Sequence, residues 1–388
     1  MTPTSDDWRA GGFGLYVHWP FCAAKCPYCD FNSHVVAHVD QARWAKALAA
    51  EIARLAAEIP DRHLGSIFFG GGTPSLMMPE TVDAVIRAAQ AGWGFRNDIE
   101  ISLEANPTSV EKTRFQGFAD AGVNRLSMGI QALNDDDLRR LGRMHSVAEA
   151  RAAFDVARDT FGRVSFDLIY ARQRQDRAAW RAELREALSM AVDHLSLYQL
   201  TIEPGTAFGA RAEIGKLRDL PDDDLSADMY ADTQEICAKA GMNGYETSNH
   251  AAPGSESRHN LVYWRQGDWA AVGPGAHGRL TLPHGRVATE AHRAPGAWID
   301  AVEQHGTGEL PREFIPHDEQ ATEYLLMAMR LSEGMDMDRF AALAGQPLRP
   351  EAIASLADLG MVRTTGNRLQ ATDAGRPVLN AILRELAL

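Results

Sequence analysis

Three cysteines lie close together in the segment Tyr16-Val-His-Trp-Pro-Phe-Cys22-Ala-Ala-Lys-Cys26-Pro-Tyr28-Cys29-Asp-Phe-Asn-Ser-His34. Three residues separate the first two cysteines and two residues separate the last two. Neighbours this close cannot form a sensible disulfide scheme. The spacing therefore indicates thiolates that hold a metal centre in a reducing compartment, and we expect a cytoplasmic protein.

Three thiolates can ligate three irons of one 4Fe-4S cubane and leave the fourth iron open to another ligand. The alternative is a structural zinc site, in which His18 or His34 completes a tetrahedral set with the thiolates. Such sites usually take their ligands from two separated pairs, and no second pair follows at suitable spacing. The sequence thus favours the cluster. The fourth cysteine, Cys237, lies in a helical pattern, where we expect a buried structural thiol.

Short β-rich runs alternate with helical patterns through the first two thirds of the chain. Six strands are predicted at residues 13–18, 66–69, 99–104, 125–131, 164–170 and 194–200. Helices are predicted at 40–59, 79–91, 110–121, 147–158, 176–191 and 222–240. This alternation indicates parallel strands joined by crossover helices, in an α/β barrel or an open α/β sheet. In a barrel, functional residues belong at the carboxyl ends of the strands.

The pattern changes near residue 245. A segment at 245–312, rich in His, Trp, Tyr, Asn and Gly, predicts an irregular insert that carries part of a site. The last segment predicts the order of a winged helix, with helices near 318–332, 336–344 and 349–359, a hairpin through Thr365, Gly366 and Asn367, and a last helix from about Asp373. We therefore expect three domains, at residues 1–244, 245–312 and 313–388.

The composition is that of a folded protein, because 45% of the 388 residues are apolar and 23% are charged. A net charge of −13 argues against a broad hold on nucleic acid, which needs clustered Lys and Arg. The winged-helix-like segment has seven Arg, no Lys and eleven Asp or Glu, so we expect a packing or lid domain. Residues 1–12 do not predict a secretory signal, and no apolar run approaches the roughly 20 residues of a membrane helix.

The cysteine spacing, with Tyr28 just before the third cysteine, resembles the radical S-adenosylmethionine (SAM) superfamily. The segment Ile67-Phe-Phe-Gly-Gly-Gly-Thr-Pro-Ser75 has the make-up of that family's glycine-rich strand end. Further segments resemble the family of oxygen-independent coproporphyrinogen III oxidase and its HemW-like heme chaperone branch: Glu100-Ile-Ser-Leu-Glu-Ala-Asn-Pro107, Gly122-Val-Asn-Arg-Leu-Ser-Met-Gly-Ile-Gln131 and Leu141-Gly-Arg-Met-His145. The resemblance covers nearly the whole chain. It implies a partial (β/α)6 radical SAM barrel with a 4Fe-4S cluster and SAM on its open iron.

Positions that match the family imply a set of SAM-contacting residues: Tyr16, Tyr28, Gly71, Gly72, Thr73, Glu104, Gln131, Arg143 and Asp167. Their chemistry is suitable. Carboxylates such as Glu104 and Asp167 can accept bonds from ribose hydroxyls or the amino group, and Arg143 can clamp the SAM carboxylate. Glycines leave backbone groups uncovered for the ligand.

The oxidase, as the family is known, carries a further cysteine where this chain has Phe31, and a longer N-terminal arm. The resemblance therefore favours a heme chaperone that delivers heme to an acceptor hemoprotein of unknown identity. The alternative is the oxidase itself, which acts in porphyrin biosynthesis by radical decarboxylation of coproporphyrinogen III, so whether the chain is an enzyme stays open. A third hypothesis is radical modification of RNA, and the acidic charge counts against it.

The segment Ser257-Arg-His-Asn-Leu-Val-Tyr-Trp264 matches the His-Asn-x-x-Tyr-Trp motif associated with heme in the chaperone branch. Imidazole is a good axial ligand for heme iron, and aromatic rings offer flat faces to a porphyrin. The expected heme residues are therefore His259, Tyr263, Trp264 and His250, with His277 as an additional candidate. The alternative is that His259 ties down a loop while Tyr263 and Trp264 fill a domain seam.

One loop departs from the family pattern. After Asp167-Leu-Ile-Tyr170 the family commonly continues Gly-Leu-Pro-Gly-Gln-Thr, whereas this chain has Ala171-Arg-Gln-Arg-Gln-Asp176. The missing Gly and Pro leave the conformation of this loop open, and with it the hold on SAM. Weak or absent catalytic turnover would follow from a poor hold, and a carrier tolerates that.

Overall fold

A computed structural model describes residues 6–108 and 113–387 of the chain. The described strands are β1 (Phe13–Trp19), β2 (Phe21–Cys22), β3 (His34–Val35), β4 (Leu64–Gly71), β5 (Phe95–Ala105), β6 (Arg125–Gln131), β7 (Arg163–Tyr170), β8 (His194–Gln199), β9 (Asn243–Gly244), β10 (Asn249–Ala251), β11 (Asp268–Val272), β12 (His277–Leu282), β13 (Gly285–Glu290), β14 (Glu313–Phe314), β15 (Met335–Asp336), β16 (Val362–Thr365) and β17 (Arg368–Ala371).

The described helices are α1 (Gln41–Glu58), α2 (Pro79–Trp93), α3 (Phe115–Asp120), α4 (Asp135–Arg140), α5 (Val147–Thr160), α6 (Arg177–Met190), α7 (Ala207–Glu213), α8 (Asp223–Lys239), α9 (Arg258–Trp264), α10 (Pro295–His305), α11 (His317–Ala328), α12 (Met337–Ala344), α13 (Pro350–Asp358) and α14 (Leu379–Leu386). None of them, within the parts of the chain that the structure covers, is long and apolar enough to cross a membrane. The first part of the helix predicted at 110–121 falls on residues outside the described ranges, and α3 is its remainder.

The six predicted strands are present and lie side by side in the order β1, β4, β5, β6, β7 and β8, all parallel. Helices α1, α2, α5 and α6 lie within a few residues of their predicted bounds and connect these strands. Among the described residues, the sheet runs from β14 to β9 and these two edge strands do not pair with each other. The predicted α/β fold, a partial barrel, is therefore confirmed.

Amphipathic helices bury one face against this sheet. In α1, Trp44, Leu48 and Ile52 recur at four-residue spacing and are all buried. The helix begins after Asp40, whose side chain accepts a hydrogen bond from the backbone N–H of Arg43. Trp44 also stacks on Trp298 of α10, with the ring centroids 5.4 Å apart, so the later segment packs on the barrel.

The segment 245–312 is more regular than its composition predicts. It contains β10, α9, α10 and the hairpin of β12 and β13, and β11 pairs in parallel with β1 as a seventh parallel strand. The sequence did not predict strand β11, because this strand begins with a charged residue. Asp268 is fully buried in the sheet, where Arg62 and Arg286 each approach its carboxylate to 2.7 Å. The boundaries predicted at 244 and 312 stay predictions.

The final segment has the predicted order of helices and hairpin. Helices α11 to α14 enclose their own apolar core together with a three-stranded sheet, β15-β17-β16. The last helix begins at Leu379, later than predicted, because a turn of 3-10 helix at Arg376–Val378 precedes it. Arg339 of α12 joins this unit to the barrel through two hydrogen bonds to the Asp7 carboxylate.

Candidate functional site

The three thiols of Cys22, Cys26 and Cys29 line one cavity, which we call the cysteine cavity. Its other walls come from β4 to β7, near their carboxyl ends, and from the turn that follows α4. The main residues there are Tyr28, Gly71, Gly72, Thr73, Glu104, Asn106, Ser127, Gly129, Gln131, Arg143 and Asp167. The parallel sheet thus brings residues more than 140 positions apart to one place, at the strand ends where α/β folds bind ligands.

Polar side chains approach the thiols from the opposite wall. Thr73 Oγ1 donates to Cys22 Sγ at 3.4 Å, and an Arg143 guanidinium N–H donates to Cys26 Sγ at 3.3 Å. Burial raises the pKa of the Cys22 and Cys29 thiols. Thiols in this environment ionise most readily when a metal binds them.

The histidines considered for a zinc site are both held at Asn32. His18 Nε2 donates to the Asn32 carbonyl at 2.9 Å, and His34 Nε2 lies 3.2 Å from Asn32 Oδ1. Across residues 6–108 and 113–387, no three His, Cys, Asp or Glu side chains are grouped closely enough to hold a single metal ion. Both histidines that could complete a zinc site are therefore engaged at Asn32.

The glycine-rich end of β4 packs closely against β1 and the start of the cysteine loop. Gly71 has a φ of +107°, and a Cβ there would lie 2.5 Å from the His18 ring. A Cβ on Gly72 would lie 2.7 Å from the Phe21 carbonyl oxygen. Only glycine fits these two positions, and the Gly71 N–H donates to the Glu104 carboxylate.

Two carboxyl groups are buried at the base of the cavity. Burial, together with the Asp167 charge, raises the pKa of Glu104 to about 8. Burial also raises the pKa of Asp167 to about 6, against the hydrogen bonds that Ser196 and Ser127 give it. A cationic ligand would favour the ionised form of both groups, so the site is suited to positive charge.

Arg143 connects the two walls. Besides Cys26, its guanidinium donates to the Gly129 carbonyl at 2.8 Å and to Asn106 Oδ1. Its Nε is buried and has no hydrogen-bond partner in the part of the chain that the structure describes. One N–H thus remains for a ligand carboxylate.

Eight of the nine expected SAM residues line the cysteine cavity, and Tyr16 lines a neighbouring one instead. Two further lining residues were not predicted from the sequence. Asn106 donates to Thr73 Oγ1 at 3.2 Å, and Ser127 donates to Asp167 at 3.3 Å. Asn106 stands two residues after Glu104 in a segment already singled out, so its position after the strand was the available signal. The three thiols, the two glycines Gly71 and Gly72 and the spare Arg143 N–H are suitable for holding a 4Fe-4S cluster together with SAM.

The second cavity, which we call the aromatic cavity, has a volume of about 550 Å³. It is lined by Tyr16, His18, Phe31, Asn32, Gly71, Glu104, Tyr263, Trp264, Trp269, Gly275, His277, Arg293 and Met327. Phe31, Gly71 and Glu104 belong to both cavities. The size is within the range of small-molecule sites, and its walls are mainly aromatic.

Two of the four expected heme residues line the aromatic cavity, and the other two do not. Tyr263 and Trp264 line the aromatic cavity, whereas His259 lines neither cavity. His259 is buried, with Nδ1 2.9 Å from Ser66 Oγ and Nε2 2.6 Å from the Tyr263 hydroxyl. Burial lowers its pKa to about 3. Both ring nitrogens are engaged, so the arrangement does not support the predicted ligation by His259, which stays a prediction.

His250 also lines neither cavity. It lies on β10, which pairs with β8, and its Nε2 is 3.1 Å from Gln234 Nε2. Cys237 is fully buried in α8, as expected, and burial raises the pKa of its thiol to about 12.

The loop after β7 keeps a backbone of the kind that glycine favours. Ala171 has a φ of +57° and Arg174 a φ of +64°, at the two positions where the family commonly has glycine. Arg172 holds the loop, because its guanidinium contacts Asp137 at 2.9 Å and Glu183 at 2.6 Å. None of residues 171–176 lines the cysteine cavity, so the departure from the family lies away from the expected SAM site.

Comparisons with known proteins agree with this geometry. Residues 16–178 match the model of the radical SAM superfamily, and residues 315–378 match that of the HemN C-terminal domain. The structure of coproporphyrinogen III oxidase (HemN) from Escherichia coli, a radical SAM enzyme, superposes with a TM-score of 0.80 at 21% identity, covering 99% of this chain and 93% of that one. At that identity the likeness shows the fold.

The sequence relatives are closer. The heme chaperone HemW of Haemophilus influenzae is 37% identical over 95% of this chain and 96% of its own length. HemW of Escherichia coli is 36% identical over 95% of this chain and 96% of its own length. A mitochondrial radical S-adenosyl methionine domain-containing protein 1 of Danio rerio is 40% identical over 83% of this chain and 73% of its own. The chain therefore belongs to the radical SAM superfamily and, within it, to the family of the heme chaperone HemW.

Proposed function

We propose that this protein is a heme chaperone of the radical SAM type. It holds a 4Fe-4S cluster through Cys22, Cys26 and Cys29, binds SAM in the cysteine cavity, and carries heme in the aromatic cavity to an acceptor hemoprotein. The observation that carries this proposal is the aromatic cavity itself, which shares Phe31, Gly71 and Glu104 with the cysteine cavity. The relatives named HemW, which align over almost the full chain, support it.

In the cysteine cavity the roles follow from the contacts. The spare Arg143 N–H holds the SAM carboxylate, and Gly71 and Gly72 form part of the wall against which SAM packs. Glu104 and Asp167, once ionised, face the positive charge and the ribose hydroxyls. When bound, the cluster and SAM supply one-electron chemistry at the sulfonium.

In the aromatic cavity the ring faces suit a flat tetrapyrrole. Tyr263 packs edge-on against Trp269 with the ring centroids 4.8 Å apart, and His259 holds the Tyr263 hydroxyl at 2.6 Å. His259 thus supports the wall from behind. Three free thiols that must stay reduced to take up a cluster favour a reducing compartment, and we propose the cytoplasm.

The first test is anaerobic reconstitution of the full chain, followed by iron, sulfide and heme stoichiometry. We expect about four irons and four sulfides per chain. Changing Cys22, Cys26 or Cys29 to Ala removes the visible iron–sulfur absorbance, because the cubane loses one of only three protein ligands. The matched control is Cys237→Ala, which keeps that absorbance, since Cys237 is buried in α8 away from the cavity. Equal loss in the control, or a lone zinc ion in the wild type, contradicts the proposal.

The second test is transfer. Heme-loaded protein is mixed with an apo-hemoprotein such as apomyoglobin, and the Soret spectrum of the acceptor is followed. We expect transfer without tetrapyrrole turnover. Robust anaerobic formation of protoporphyrinogen from coproporphyrinogen III would instead identify the oxidase, even though Phe31 replaces its further cysteine.

A further inference from the structure

We propose that His277 is the axial ligand of the heme iron in the aromatic cavity and that Arg293 pairs with a heme propionate. This assignment rests on the heme-carrying function proposed above. It names two residues outside the His-Asn-x-x-Tyr-Trp motif, and it comes from the way that the imidazoles and cations around the cavity are engaged.

An axial ligand needs an imidazole nitrogen with a free lone pair that faces the cavity. Two imidazoles line the cavity, His18 and His277. His18 is buried, and both of its nitrogens are engaged: the Tyr16 hydroxyl donates to Nδ1 at 3.0 Å, and Nε2 donates to the Asn32 carbonyl. His18 therefore lacks a free nitrogen, as does His259 outside the cavity.

His277 is different. Its side chain is 60% exposed, and among the described residues its ring forms no hydrogen bond. The nearest charged atom is Glu290 Oε1, at 3.7 Å from Nε2. The other ring nitrogen is free. A carboxylate is a common outer partner of a metal-ligating imidazole, and Glu290 stands close to the ring at a distance longer than a hydrogen bond.

The backbone around His277 is held firmly. Its carbonyl accepts a hydrogen bond from Trp269 Nε1 at 2.8 Å, and it stands opposite Glu290 in the β12-β13 ladder. The preceding turn packs tightly on the barrel, since a Cβ on Gly273 would lie 2.2 Å from the His18 carbonyl oxygen. The imidazole is thus presented from a fixed point of the cavity wall.

Arg293 supplies a cation at the same cavity. Its side chain lines the cavity and has no hydrogen bond or ion pair to another residue in the described ranges. Its backbone carbonyl accepts a bond from Asn32 Nδ2 at 2.9 Å, which fixes the chain there. A guanidinium without a partner, beside aromatic walls, is suited to a carboxylate on a flat ligand.

The ligand test is a titration of the reconstituted full chain with hemin, followed by optical and electron paramagnetic resonance spectra. We expect His277→Ala to weaken hemin binding at least about tenfold and to lose the imidazole-ligated spectrum. Free imidazole restores that spectrum in the variant. The matched control is His284→Ala, which removes an exposed imidazole at the other end of the same hairpin and leaves affinity and spectrum unchanged. His277 is exposed, so folding is preserved.

The outcomes separate the two proposals. If wild-type protein binds no stoichiometric hemin, the heme-carrying function fails. If the wild type binds hemin and His277→Ala keeps the wild-type spectrum, the assignment of His277 as the ligand is overturned. In that case, loss of the spectrum in His259→Ala would identify His259 as the axial ligand.

The Arg293 assignment has its own test. Arg293→Gln should weaken hemin binding, yet bind the dimethyl ester of hemin as well as the wild type does, because the ester carries no propionate charge. An equal loss for both ligands means that Arg293 acts on the cavity in another way and overturns its assignment.

Discussion

Buried carboxyl groups set the behaviour of the cysteine cavity at the scale of single residues. With a pKa raised to about 8, Glu104 is largely protonated at neutral pH in the ligand-free protein. A cationic ligand reverses this, because it stabilises the carboxylate, so binding releases a proton. Affinity for SAM should therefore rise as the pH is raised toward 8.

The same raised pKa means that Glu104 lowers the free energy of unfolding in a pH-dependent way. Below its ordinary value of 4.5 the group is protonated in both states. As the pH rises toward 8, the unfolded chain ionises while the folded site keeps its proton, and stability falls. Glu104→Gln removes this loss, so we expect the variant to gain ~1–4 kcal/mol over the wild type between about pH 5 and about pH 8. Urea unfolding without SAM measures it.

The control for that experiment is Glu213→Gln, which changes an exposed carboxylate at the end of α7. Its difference from the wild type should stay flat across the same pH range. A flat difference for Glu104→Gln as well would contradict the raised pKa.

At the scale of elements, the loop after β7 is informative because two residues with side chains adopt a backbone that glycine favours. Arg174 has a φ of +64° and is exposed, and its Nε donates to Asp219 at 2.8 Å. A left-handed residue costs roughly 1–2 kcal/mol when it carries a Cβ. Since the loop lies outside the cysteine cavity, this cost bears on stability and not on SAM.

We expect Arg174→Gly to be more stable than Arg174→Ala by ~1 kcal/mol. Both variants lose the pair with Asp219, so the comparison isolates the backbone. At Arg181 in α6 the order should reverse, because glycine in a helix is about 1 kcal/mol less stable than alanine. Thermal unfolding of the four variants gives the answer, and the same order at both positions would refute the backbone argument.

Elements whose signal is local were predicted correctly from the sequence. The four-residue spacing in α1 and the glycines after β4 are readable in the chain, because a helix face and a tight strand end depend on neighbouring residues. The prediction from the sequence was less successful for β11. Asp268 looks like a residue of a loop, and it is stable in the sheet because Arg286 and Arg62, the latter from 206 positions earlier, neutralise it there.

At the scale of the whole molecule, the C-terminal unit packs on the barrel and also contributes a residue to the aromatic cavity. Met327 of α11 lines the aromatic cavity, so this unit closes one side of it. Arg339 ties the unit to the barrel by donating to the Asp7 carboxylate and to the carbonyls of Arg265 and Gln266. Its guanidinium also lies 4.4 Å from the Tyr324 ring centroid.

Arg339→Met should therefore lower the free energy of unfolding by ~2–4 kcal/mol, since it leaves Asp7 and two carbonyls without their donor. The matched variant is Arg349→Met, which removes an exposed guanidinium from the same unit and should change stability by less than about 0.5 kcal/mol. Urea unfolding of both variants checks this. Equal losses would mean that the contacts of Arg339 do not join the two units.

Local patterns were enough for the class of fold, and they also predict a cysteine-held cluster. Cysteine spacing and strand–helix alternation are properties of short segments, and they predicted the cluster loop and the parallel sheet. Which imidazole meets which cavity depends on long-range pairing. Ser66 engages His259 from 193 positions away, and pairing of β11 with β1 brings His277 beside the cysteine loop. No local pattern contains these contacts, because they form only when distant strands become neighbours in the sheet.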